Sequence, residues 1–150
     1  MANIPTVPQG GPLNRIRSSV VVQNTPSLNI VAQNMGGGFV TVALQGEAAG
    51  LVGTGTGGVA TLEPYQMAVV TVDLLRTQPL GSTWFTQMQI NSAIGPITVY
   101  PDTTAFQPVP LDSCVINNVD LGAWDGKNPV IRLTLHGIFY VNAAAWSLSV

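Results

Sequence analysis

The chain has 150 residues, of which 46% are hydrophobic and only 8% charged, with a net charge of −2 and a pI near 4.9. This is the length of one domain with a sizeable core, but its charge content falls far below the roughly 25% of an average soluble domain. The balance excludes a cationic grip on nucleic acid, since Arg15, Arg17, Arg76, Lys127 and Arg132 are the only cations, and it favours a surface largely covered by other protein.

Residues 1–13, rich in Pro, Gly, Asn and Gln, predict an extended arm that contributes no core element. The start "MANIPTVPQGG" has neither the basic beginning nor the continuous apolar stretch of a secretory signal. Ile4, Val7 and Leu13 are the arm's candidate contact residues. "RSSVVVQ" (residues 17–23), "PSLNIVAQ" (26–33) and "GFVTVALQG" (38–46) follow as short strands, with "NMGGG" (34–38) as the hairpin turn between the last two.

Residues 46–63 are rich in Gly, Thr and Ala and lack a helical period. "GTGTGG" (53–58) raises the possibility of a phosphate cradle. Such a cradle needs a helix after it and usually a lysine, whereas here Pro64 and a strand follow and no lysine is near. The segment therefore reads as a long flexible excursion between strands, of a length that is uncommon without a function. "MAVVTVDLL" (67–75) is apolar on both faces over much of its length, as a strand between packed layers would be. It is too short, and carries Asp73, to span a membrane as a helix.

"PLGSTWFTQMQINSAIG" (79–95) predicts one amphipathic helix of about three turns. Ser82 caps it, Thr83 starts it, and Gly95–Pro96 ends it. Trp84, Phe85 and Met88 form its apolar stripe. Strands return in "PITVYPD", "SCVINNVDLG" and "NPVIRLTLHGIFYVNAA", with "WDGKN" (124–128) a tight hairpin between the last two. The sum is about seven strands and one helix: a single mainly-β domain, an antiparallel sandwich or partial barrel with one flanking helix. Residues 143–150 form a tail in which Trp146 and Leu148 are candidate interface residues.

No catalytic constellation emerges. His136 is the only histidine and lies mid-strand, and the seven acidic residues are scattered singly, so neither a nucleophile motif nor a metal-ligand cluster is legible. Neither an enzyme nor a cofactor is expected. Cys114, the only cysteine, reads as a buried structural thiol. Trp84, Trp124 and Trp146 are core or interface anchors before they are ligand platforms.

Taken together, "PLNRIRSSVVVQNTPSLNIVAQ", "FVTVALQGE", the Gly-rich segment, "EPYQMAVVTVDLLRTQPLGSTWFTQMQINSAIGPITVYPDT" and "VIRLTLHGIFYVN" resemble the tail tube proteins of contractile-tailed bacteriophages, over nearly the whole chain. The resemblance is one of pattern and texture, without a short diagnostic motif. It implies a β-sandwich with a flanking helix. Six such subunits close into a ring whose inner sheets join as one barrel, and the rings stack into a tube that conducts genome DNA. The implied partners are further copies of the chain, tail sheath protein, tape measure protein, baseplate and neck proteins, and double-stranded DNA in transit. The implied location is the virion tail.

The resemblance places residues 46–63 at the ring-to-ring contact, with Gly46, Leu51, Val52, Thr54, Thr56 and Val59 as contact residues. It places the helix (Trp84, Phe85, Met88) towards sheath or core. Residues 39–44 and 67–75 are the expected inner-barrel strands, and Glu47, Glu63 and Asp73 the expected lumen charges. The competing expectation is a glycan- or receptor-binding β-sandwich of a baseplate or fibre.

Overall fold

A computed structural model describes residues 12–146, with the side chain of Trp146 outside the description. Nine strands and two helices run in the order β1 (Ser19–Val22), β2 (Ile30–Val31), β3 (Met35–Gln45), β4 (Ala49–Gly53), β5 (Gly58–Leu62), β6 (Tyr65–Leu75), α1 (Pro79–Ile90), β7 (Ala93–Tyr100), β8 (Val109–Asp120), β9 (Val130–Tyr140) and α2 (Ala143–Trp146). Seven strands form one antiparallel sheet ordered β2-β1-β7-β8-β9-β6-β3, and β4 and β5 pair only with each other.

The seven-stranded sheet is curled almost into a barrel. Its two edge strands, β2 and β3, are joined by only Ala32–Asn34. Four Cα steps span at most about 15 Å, whereas the edges of a flat sheet of this size would lie about 29 Å apart. Curling is the only way to satisfy both, and opposite walls of the one sheet serve as the two layers. Side-chain bonds hold the joint. Asn34 Nδ2 donates to Gln78 Oε1 at 2.6 Å, and Gln78 Nε2 donates to the Gln33 carbonyl at 2.9 Å.

Period-two burial fills the interior. Ala68, Val70, Val72 and Leu74 of β6 point inward beside Ile131, Leu133 and Leu135 of β9. "MAVVTVDLL" is therefore buried on one face only and does not lie between two packed layers. Val69, Thr71 and Asp73 lie on the outward face, only half-covered.

Helix α1 packs against the core through Trp84, fully buried, with Phe85 and Met88 partly covered beside it. All three thus face the core. The helix starts earlier than Ser82 would have it. Pro79 occupies the first turn with Gln78 at the N-cap, because proline's fixed φ and missing N–H suit that position. The helix ends at Ile90 with Asn91 at its C-cap, not at Gly95–Pro96, which lie inside strand β7.

Three further expectations are corrected. "NMGGG" is not a turn: Gly36, Gly37 and Gly38 lie within β3, next to a register shift between Met35 and Val40. A Cβ on Gly36 would run into Val130, and one on Gly38 into the Asp73 carboxylate, so these glycines serve close approach. "PSLNIVAQ" is a 3-10 turn (Pro26–Leu28) and a two-residue strand. The β8–β9 connection is a longer loop, residues 121–129, and only its centre is tight. There the Asp125 carboxylate accepts from the Lys127 and Asn128 amides at 2.9 and 3.2 Å, which holds its pKa below the usual value.

Cys114 is buried on β8, its sulfur against Gly137. Burial pushes the thiol up to about 11. Because the raised value favours the neutral thiol, its contribution to stability is complete below the ordinary thiol pKa of 9.0 and is lost as pH rises towards 11. The expected result is alkylation at pH 7 that is slow in the native protein and fast in urea, read by mass spectrometry. Equal rates in both states would contradict burial.

Candidate assembly interface

Residues 46–63, expected to be a flexible loop, form a regular β-hairpin. Ala49–Gly53 pair with Gly58–Leu62 in unbroken register, Ala49↔Leu62 through Gly53↔Gly58. The Thr54 amide closes the turn on the Gly57 carbonyl at 2.7 Å. Directly opposed residues share a face. One face therefore carries Ala49, Leu51, Ala60 and Leu62, and the other Gly50, Val52, Val59 and Thr61. Both are apolar or small, and no ionisable group lies between Glu47 and Glu63.

The hairpin stands clear of the barrel. Among the described residues it makes no substantial contact with any other element, and Leu51, at 76% exposure, Val52, Val59 and Leu62 are all solvent-facing. A lone two-stranded ribbon is marginal in water, and a cluster of exposed aliphatics of this kind marks an interaction surface. Of the sequence-expected contact residues, Leu51, Val52 and Val59 lie on the ribbon, Thr54 and Thr56 at its tip, and Gly46 at its root with φ +79°.

The root is fastened to the barrel. Asn142 donates through Nδ2 to the carbonyls of Ala48 and Glu63 at 2.7 and 2.9 Å, bridging both arms of the ribbon. Gln66 Nε2 donates to the Gly46 carbonyl at 3.1 Å. Asn142 holds φ at +53°, a left-handed conformation that asparagine tolerates better than most residues. Replacing it with alanine removes both bonds and strains the backbone, for an expected loss of about 1–3 kcal/mol. The same change should speed hydrogen exchange at Glu63, whose amide bonds to Ala48 at 3.1 Å. Unchanged exchange there would show that Asn142 is not the fastener.

A second surface is the free edge of β3. Among the described residues, this strand of 11 pairs only with β6. A long unpaired edge is a template for another chain. The opposite edge, β2, has only two residues.

The outward face that continues from β3 is polar but nearly neutral. Thr41, Thr71, Thr134 and Asn118 are aligned across four adjacent strands. Beside them Arg132 Nε meets Asp73 Oδ1 at 3.3 Å, the guanidinium exposed and the carboxylate largely covered, a single ion pair open to solvent on one side and worth little on its own. His136 sits on the same face, opposite Val69 and Val115.

The expected lumen charges do not converge. Glu47 and Glu63 flank the hairpin root, whereas Asp73 lies eight residues along β6 from its start at Tyr65, about 26 Å away.

The third surface went unread in the sequence as a site. At the far end of β6 and β9, a groove of about 230 Å³ opens between the start of α1 and the 121–129 loop. Phe85, Leu121, Trp124 and Ile131 wall it, and Arg76, Gln78 and Ser82 stand at its rim. Trp124 is 72% exposed. Arg76 fixes it: the guanidinium lies 4.9 Å from the indole centroid and donates to the carbonyls of Ala123 and Asn128.

Leu13 is exposed. Ile4, Val7 and Leu148 lie outside the described residues, as does the Trp146 side chain, although the backbone of Trp146 closes α2. Among the described residues, no three His, Cys, Asp or Glu side chains gather as metal ligands, and no helix is long and apolar enough to cross a membrane. Compared with known proteins, the chain matches no family model, and no curated protein matches it.

Proposed function

We propose that this chain is a structural, non-catalytic subunit that closes into rings and stacks into a hollow tube. Its kind is that of the tail tube of a contractile-tailed phage, where the tube conducts genome DNA from the virion. The observation that carries this reading is the β4–β5 ribbon. A regular hairpin without charge, apolar on both faces and fastened at its root, has no role inside its own subunit. It is built to be covered by another molecule.

The free edge of β3 supports lateral closure. A neighbour's strand added there extends the sheet and carries the Thr41–Thr71–Thr134–Asn118 face from subunit to subunit. Turned towards a channel, that face offers phosphates hydroxyls and amides, and its one cation, Arg132, is paired with Asp73. Such a wall lets a polyanion pass without holding it. In this reading six copies make a ring, and sheath, tape measure, baseplate and neck proteins are the tube's partners.

Negative-stain microscopy of the purified chain tests the proposal. Hollow filaments with an axial ring repeat are the expected image. A monodisperse monomer at high concentration, in the cold and in the warm, would overturn it. The competing reading, a glycan-binding module, is favoured only by the exposure of Trp124.

A further inference from the structure

The ribbon and the Trp124 groove lie at opposite ends of the same strands. β3 runs into the ribbon root and β6 leaves it, while the far end of β6 leads directly to Arg76 at the groove. β6 has 11 residues and spans about 33 Å, whereas each arm of the ribbon, five residues long, reaches about 17 Å. A ribbon that makes no substantial contact with its own barrel is too short to reach its own groove. Only another copy can bring the two together.

We propose that the groove walled by Phe85, Leu121, Trp124 and Ile131 receives the Leu51 face of the β4–β5 ribbon from the next copy of this chain. The inference rests on the stacking read above and names the receiving surface for it.

The two surfaces match in chemistry. Leu51 is the most prominent aliphatic on the ribbon, lying over Gly58, where any Cβ would crowd its side chain. The groove has apolar walls and room, at about 230 Å³, for a leucine side chain and its neighbours. Its rim groups Gln78 and Ser82 suit the hydroxyls and amides of the Thr54–Gly57 turn. Arg76 holds the indole in place before the partner arrives, which lowers the ordering cost of binding. Because the surfaces differ and sit at opposite ends, the contact is heterologous and leaves every subunit at each end of an assembly with an unused site, so growth does not close.

The test uses the full chain with Leu51→Ser, Trp124→Ser and the double variant. The minimum concentration for filament formation is read by sedimentation and microscopy. Each single variant should raise it at least tenfold, and the double no more than the worse single, since both act on one contact. Filaments of Trp124→Ser at the wild-type concentration would overturn the proposal, as would a double-variant effect equal to the product of the two singles.

A cysteine pair reads the contact even if no filament forms. Leu51→Cys combined with Trp124→Cys should oxidise to a ladder of linked chains, and neither single variant should progress beyond dimer. The native Cys114 is buried and silent. Absence of a ladder at high concentration would sink the contact. Wild-type filaments that persist in that case would leave the tube reading intact and assign the groove to another occupant, such as a glycan.

Discussion

Removing the ribbon is expected to leave a folded subunit that no longer stacks. Ala48 and Glu63 already face each other with a backbone hydrogen bond at 3.1 Å, so an Asn-Gly pair in place of residues 49–62 closes the chain as a two-residue turn. Circular dichroism and the thermal midpoint should barely change, because nearly all the excised residues are exposed and the ribbon makes no substantial contact with the barrel among the described residues. Assembly should change greatly. Full burial of a valine or leucine is worth about 1.5–3 kcal/mol, and Leu51, Val52, Val59 and Leu62 are all exposed in the subunit. If half of the gain survives the cost of association, about 3 kcal/mol is lost per contact, and the concentration needed for filaments rises about a hundredfold. Filaments of normal length at the wild-type concentration would show that the ribbon is decoration.

Trp84→Ala is expected to produce the largest loss of stability in the chain, about 3–5 kcal/mol. The indole is fully buried where α1 meets the core, and Phe85 and Met88 settle around it. A loss of that size is a large fraction of what a domain possesses. Trp84→Phe should behave differently. The Trp84 Nε1 is buried with no acceptor among the described residues, an arrangement that costs about 1–3 kcal/mol. Phenylalanine gives up contact area but also removes the orphan donor. The two effects should nearly cancel, leaving a change within about 1 kcal/mol. Urea unfolding of the two variants separates the effects. Equal destabilisation by Ala and Phe would mean that the indole nitrogen has a partner after all.

Strands β3, β6 and β9 were legible in the sequence because burial on one side imposes a two-residue rhythm, seen in Ala68, Val70, Val72 and Leu74. The ribbon was illegible for the converse reason. Neither of its faces is buried within the subunit, so nothing in "GLVG" or "GVATL" alternates, and the glycines at 50, 53, 57 and 58 look like flexibility. Its register is visible only in the pairing. The glycines at 36–38 misled in the same direction. At Gly36 and Gly38 the smallness serves the approach of Val130 and Asp73, a long-range fact without a local signature.

The helix itself was readable, but Ser82 drew its start away from Pro79. Trp124 was placed in a turn and considered as an anchor. What made it part of a site was Arg76, 48 positions earlier in the chain, together with Phe85 and Ile131. No spacing rule connects those residues. β-branched residues and alternation disclose what a chain buries for itself, and are silent about the surfaces it leaves exposed.

The absence of any ionisable side chain between Glu47 and Glu63 fixes the thermodynamic character of whatever the ribbon joins. An attachment made of aliphatic surface draws its strength from released water, which fades on chilling and is reinforced by sulfate or phosphate salts. The proposed tube would accordingly tighten in the warmth and loosen on ice, and dilution of ordinary salt would leave it almost indifferent.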